Sequence, residues 1–256
     1  MPTEPPTFDA LPPPQIAARA EDVGLAKGRL DFTSTFLLAV LAGAFIAMGA
    51  ILSTVAVTGA AGHLPWGVTR VLAGVTFCLG LILVVVAGAE LFTGNNLLVM
   101  AFVSGKLPFA RLMRNWAIVY VGNLIGSIAT AWLMFFTAQY TFADGQVGVT
   151  ALQIAASKCE LSFIEALTRG IYCNALVCLA VWLCYSGRTT TDRILAILFP
   201  ITAFVAAGFE HCVANMYFVP MGLAIKQWAP GDWWSAAGVS TGDFTQIGRA
   251  SCRERV

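Results

Sequence analysis

The sequence predicts an all-α membrane protein, an inverted repeat of three plus three spans in which spans two and five are broken and span six is missing. Three observations predict it. The 256 residues are 58% hydrophobic and 11% charged, against about 25% charged in soluble domains. That much apolar surface does not fit inside one water-soluble core of this length. Apolar runs of about 20 residues, the length a bilayer requires, recur along the chain. Finally, Gly88-Ala89-Glu90 followed by Asn95 recurs as Gly208-Phe209-Glu210 followed by Asn215, with an offset of 120 residues at both places.

Each span follows in order. The first runs from about Phe32 to Gly59, inside a stretch free of Asp, Glu, Lys and Arg from Asp31 to Arg70. The second starts near Val71, stays uncharged to Ala89, meets Glu90-Leu91-Phe92-Thr93-Gly94-Asn95-Asn96, and resumes as Leu97 to Val103. The third runs from Trp116 to about Ala138, and the fourth from about Phe163 to Tyr185. The fifth starts near Ile194, meets Gly208-Phe209-Glu210-His211, and resumes as Cys212 to Ile225. Three spans per repeat is an odd number, so the second copy is inverted in the membrane, an architecture that brings broken helices together at the midplane.

Lys106, Arg111 and Arg114 lie between spans two and three, Arg188 and Arg193 between four and five, and Arg19, Lys27 and Arg29 before span one. The opposite loops hold only Lys158, so positive-inside counting puts the N-terminus in the cytoplasm, as in a multi-pass protein of the inner (plasma) membrane. The Pro-rich start lacks a basic n-region and a cleavage motif, so it is no signal peptide. Residues 1–28 read as a disordered cytoplasmic tail and 29–246 as the transmembrane channel domain. The repeat calls for a sixth span near 235–258, but that stretch is polar. The expectation is that the chain is cut short near Gln246, with 247–256 a non-native tail.

Net charge is +1, which gives no reason to expect nucleic acid. Seven cysteines form no CxxC pair, and most lie in apolar stretches as small hydrophobes. No cofactor and no metal site is called for. No nucleophile–base pair or phosphate loop is present, so the chain does not read as an enzyme.

A break in lipid frees backbone N–H and C=O groups, tolerated only against protein or a wet cavity. Resumed helices after the two breaks aim their N-terminal partial positive charge at one region, which suits an anion. Gly94 is expected to supply an unusual turn, and Thr93 a hydroxyl that donates or accepts. His211 is ionisable within the membrane and so a candidate functional group; its alternative is a neutral ring that satisfies broken backbone. Glu90 and Glu210 read as structural carboxylates that bind freed N–H groups. Asn95, Asn96 and Asn215 read as caps or interhelical glue. Asn174, mid-span, reads as either glue or a pore donor. Lys158 reads as a solvated charge or, at a pore mouth, an anion collector. Gly122 and Gly126 form a GxxxG for packing within one subunit or between subunits.

At Glu90-Leu91-Phe92-Thr93-Gly94, at 208–216, and in Asn115-Trp116, Gly122-Asn123 and 173–188, the chain resembles the formate/nitrite transporter family. The resemblance covers about residues 20–246. It implies an aquaporin-like protomer with six helices, a homopentamer when full length, and one pore per protomer. It puts Thr93 on a flexible loop facing a central pore histidine, His211. It makes Asn174 a polar pore residue, Lys158 the vestibule cation, and Phe77, Leu81, Leu91 and Phe204 the apolar constrictions. It implies passage of a small monovalent weak-acid anion, formate first, with protons linked to His211. The run 178–188 and Phe209 resemble formate channels, while Thr93-Gly94 resembles nitrite members. Nitrite or hydrosulfide transport is therefore an alternative within the family. A neutral-solute, aquaporin-like channel is the alternative from another class.

Overall fold

The computed structural model describes residues 10–248. Every long element is helical. Five helices are long and apolar enough to cross a membrane: α2 (Phe32–Val57), α3 (Trp66–Ala87), α6 (Phe109–Phe136), α8 (Phe163–Ser186) and α9 (Thr190–Ala207). Shorter helices complete the two broken spans. After α3 come α4 (Phe92–Asn95) and α5 (Leu98–Val103), and after α9 comes α10 (Cys212–Trp228). Among the described residues no further helix of that length follows; α11 (Gly231–Ala237) is short.

The helix entries follow local chemistry. Asp31 caps α2 by accepting the Ser34 N–H at 2.9 Å. Capping boxes open α8 at Ser162/Glu165 and α9 at Thr189/Asp192. Two first halves end in the same way. Gly88 after α3 has φ 77° and Gly208 after α9 has φ 77°, the left-handed C-cap that glycine adopts without a Cβ clash. The interruptions are therefore 88–91 and 208–211, a 120-residue offset at both ends.

Lipid supplies little drive for helix association, so close backbone approach holds the bundle. Gly122 and Gly126 on α6 face α2. A Cβ on Gly122 would sit 2.5 Å from the Ala39 Cβ, and one on Gly126 would run into the Val40 carbonyl. The GxxxG therefore packs within the protomer. Gly49 on α2 meets α3 equally closely, with the Phe77 carbonyl 2.7 Å from an added Cβ. The Ser127 hydroxyl donates to the Gly43 carbonyl at 3.2 Å, a polar bond inside the same seam.

Two terminal expectations change. Residues 13–29 form a helix, α1 (Pro13–Arg29), not part of a disordered tail. Ile16, Ala20, Gly24 and Gly28 are its buried stripe, at a helical period, seated on α5 and Leu107. Residues 1–9 lie outside the described residues. Of the stretch 247–256 read as foreign, 249–256 also lie outside. Ile247 is buried, 1% exposed, and its carbonyl accepts from Lys226 Nζ at 2.8 Å. The loop before α8 also holds a helix the sequence reading did not place, α7 (Gln146–Cys159), packed on α10 with Lys158 in its last turn.

Candidate functional site

The first interruption is satisfied by side chains from neighbouring helices. Asn123 of α6 is fully buried. Its amide donates to the Ala39 carbonyl at 2.7 Å and the Glu90 carbonyl at 2.9 Å, while its oxygen accepts the Phe92 N–H at 2.9 Å. Trp116 Nε1 donates to the Asn95 carbonyl at 3.0 Å. Glu90 N–H itself donates to Leu38 O at 3.2 Å. The backbone freed by the break thus has partners, as buried polar groups require. Sequence reasoning gave Asn123 no role of its own, although an Asn amid an apolar α6 face was a readable signal.

The two carboxylates do not bind freed N–H groups as expected. Glu90 Oε1 accepts from Lys27 Nζ of α1 at 2.8 Å, and Oε2 from Asn95 Nδ2 at 2.6 Å. Glu210 Oε1 accepts from Lys158 Nζ of α7 at 2.7 Å, and Oε2 from Asn215 Nδ2 at 2.9 Å. The physical reason is charge. A carboxylate that is 2% or 8% exposed as a residue is held better by an ammonium than by neutral amides. Each break carries the same Lys–Glu–Asn cluster, and Asn95 and Asn215 are its amide arms. Lys158 is consequently an ion-paired residue rather than an isolated solvated charge.

Gly94 does not supply the turn; that falls to Gly88 and Gly208. Gly94 lies inside α4, where an added Cβ would meet only Val181 Cγ2, at 3.6 Å. Thr93 is likewise on the first turn of a resumed helix, not on a loop.

Thr93 and His211 meet. The hydroxyl and Nε2 are 3.0 Å apart, and the two residues are each 4% exposed. His211 is the N-cap of α10, its Nδ1 accepting the Ala214 N–H at 3.1 Å. A neutral imidazole carries one proton, so accepting at Nδ1 leaves that proton on Nε2. Nε2–H therefore donates to Thr93 Oγ1, and the threonine O–H proton is left to donate elsewhere. A second proton on Nδ1 would break the cap. The ring thus satisfies broken backbone, the alternative weighed from the sequence, and in that neutral state its Nε2–H is a donor.

Apolar rings flank the pair. Phe204 stacks on the His211 ring, with centroids 5.7 Å apart and planes 19° apart. Phe77 meets Phe204 edge-on at 5.7 Å and His211 at 6.4 Å. Leu81, one turn along α3 from Phe77 (about 6 Å), and Leu91 are each 2% exposed. Two cavities lie at opposite ends of α3. The α1-side cavity, about 220 Å³, is lined by Leu81, Leu91, Glu90, Lys27, Arg19 and Arg193 among others. The α7-side cavity, about 130 Å³, is lined by Phe77, Phe204, His211, Lys158, Asn215 and Arg70 among others. Phe77/Phe204 and Leu81/Leu91 thus line different cavities. Arg70 was not singled out in the sequence.

Asn174 of α8 lines a third, more open cavity with Thr93, Asn96 and Cys212. Its Nδ2 donates to Cys178 Sγ at 3.7 Å, and its buried Oδ1 has no partner among the described residues. Among the described residues it bonds no neighbouring helix. Among the described residues no group of three or more His, Cys, Asp or Glu is placed to hold a metal ion.

The formate/nitrite transporter family model matches residues 14–246. The formate channel FocA of Escherichia coli K12 is 42% identical over 240 residues, covering 94% of this chain and 84% of that protein. FocA of Haemophilus influenzae is 40% identical over 238 residues, covering 93% and 84%. A solved pentameric formate channel with formate bound superposes with a TM-score of 0.81 at 43% identity, covering 84% of each chain. A solved FNT family ion channel gives 0.75 at 26% identity, covering 91% of each.

Proposed function

We propose, from the premise that this chain belongs to the formate/nitrite transporter family, that it conducts formate across the membrane without chemically converting it. One observation carries the reading. A single polar pair, Thr93–His211, is flanked by apolar side chains that line two cavities, each carrying cationic residues.

Mechanism follows from the energetics of that order of groups. An unpaired anion loses hydration worth several kcal/mol on entering an apolar ring; its conjugate acid loses far less. Cations at the outer cavity raise the local anion concentration. The solute takes up a proton supplied by the outer solution before passing Phe77 and Phe204, and meets the Thr93 hydroxyl, whose proton His211 leaves free to donate. It then passes Leu81 and Leu91 into the inner cavity and ionises again. His211 acts as a neutral donor and helix cap, because a second ring proton would displace the Ala214 N–H. Asn174, with an unsatisfied oxygen beside Thr93, offers an acceptor to the protonated solute.

Positive-inside counting supports a cytoplasmic N-terminus, with α1 and the α1-side cavity inside, in the inner (plasma) membrane. The pentameric assembly of the formate-bound relative supports a homopentamer, and α8 and α9 carry exposed apolar side chains such as Phe163, Ile171 and Leu195. The Thr93-Gly94 step favours nitrite as a second solute.

Proteoliposomes test the reading. Formate uptake should rise with an inward proton gradient and be abolished in His211→Ala. Water permeation without uptake of formate or nitrite would overturn it in favour of a neutral-solute channel.

A further inference from the structure

The α7-side cavity contains a charge account that Lys158 does not close. Lys158 gives its charge to Glu210 at 2.7 Å, so that pair is close to neutral. Arg70, on the second turn of α3 and half-buried, lines the same cavity. Among the described residues no carboxylate lies within ion-pair distance of it; the charge of Glu210, which Lys158 already pairs, reaches it only from beyond that distance. Its Nη2 donates to the Val205 carbonyl and its Nε to the Ala206 carbonyl at 3.3 Å, in the last turn of α9 before the second break. The Trp66 ring lies 6.0 Å from its guanidinium carbon.

The carbonyls at a helix C-terminus carry about half a negative charge, which offsets only part of a guanidinium. Two of its five N–H groups are used on these carbonyls, leaving three. Capping alone does not account for the residue. The matching terminus of α3, at Gly88, is closed by backbone bonds from Gly88 and Ala89 to Val84, with no arginine on its carbonyls among the described residues. The fold closes the same motif there without placing a cation, which is costly at membrane depth.

We infer that Arg70 is the anion-recruiting residue of the outer cavity: its charge, which no carboxylate pairs, draws the solute in, while its clamp on Val205 and Ala206 fixes that charge in the cavity that His211 also lines. The inference rests on the channel reading above. It also assigns Lys158 chiefly to holding Glu210 and only secondarily to attracting solute.

The experiment is initial formate uptake into proteoliposomes against formate concentration, at low and high ionic strength, for the wild type, Arg70→Gln and Arg70→Lys. Gln retains an amide that donates to the carbonyls and loses the charge; Lys retains the charge and loses the fork. Arg70→Gln should raise the half-saturating concentration on the order of threefold to tenfold and flatten the salt dependence. Its maximal rate should stay within about twofold, and Arg70→Lys should restore most of the affinity. An unchanged half-saturation and salt response in Arg70→Gln overturns the inference, as does a Lys variant as impaired as Gln, which would leave only the clamp. Should Arg70→Gln not yield monodisperse protein, wild-type half-saturation that does not change with salt overturns it instead. A wild type that takes up no formate overturns the channel reading; normal wild-type uptake with unmoved Arg70 variants overturns this inference alone.

Discussion

Asn123 shows how much one side chain decides at a break. It donates to the Glu90 carbonyl and accepts from the Phe92 N–H, backbone that α3 and α4 cannot pair, and its other donor ties the break to the Ala39 carbonyl of α2. Asn123→Ala leaves the Glu90 carbonyl and the Phe92 N–H unsatisfied in a dry site, at about 1–3 kcal/mol for each orphaned group. Thermal unfolding in detergent should show a markedly lower Tm, whereas Asn96→Ala, beside an open cavity, should shift it little. The Lys158–Glu210 pair behaves differently. Removing one member strands a buried charge, so Lys158→Met should destabilise more than the double variant Lys158→Met/Glu210→Gln. Melting both variants beside the unsubstituted protein checks the sign.

At the scale of the element, contact distance rather than glycine count sets tolerance. Gly126→Ala should prevent proper α2–α6 packing, because its Cβ would enter the Val40 carbonyl, a rigid backbone atom. Gly94→Ala should leave stability unchanged, its only neighbour within 4 Å being Val181 Cγ2 at 3.6 Å. Size-exclusion profiles of the two variants separate the cases. Asp31 gives α2 a pH dependence. Its bond from the Ser34 N–H holds the carboxyl below the ordinary 3.8. Its capping contribution is therefore complete above about pH 4 and is lost as pH falls through the lowered value. Asp31→Asn should remove that acid limb from the unfolding curve.

For the whole molecule, the inverted repeat makes sidedness a sharp test. His63, between α2 and α3, and Ser104, between α5 and α6, should lie on opposite sides. In right-side-out vesicles an impermeant thiol reagent should label His63→Cys above the background of the unsubstituted chain, and Ser104→Cys only after permeabilisation. Reversed labelling would invert the proposed orientation and exchange the inner and outer cavities.

Periodicity and charge determined the spans, because a bilayer admits only long apolar helices whose backbone closes on itself. The 120-residue echo likewise determined that two spans are broken and matched, and which residues lie near the breaks. What the linear chain did not carry was the partner of each polar group. Glu90 and Glu210 look alike in sequence whether they bind amides or lysines. Only packing brought Lys27 from α1 and Lys158 from α7 to them, across 63 and 52 residues. The turn was placed at Gly94 and belongs to Gly88, because a left-handed φ is a property of where the helix stops. Arg70 was legible as a basic residue and nothing more. Its meeting with α9, 135 residues away, exists only once α3 and α9 lie side by side, since a guanidinium finds carbonyls through space and not along the chain.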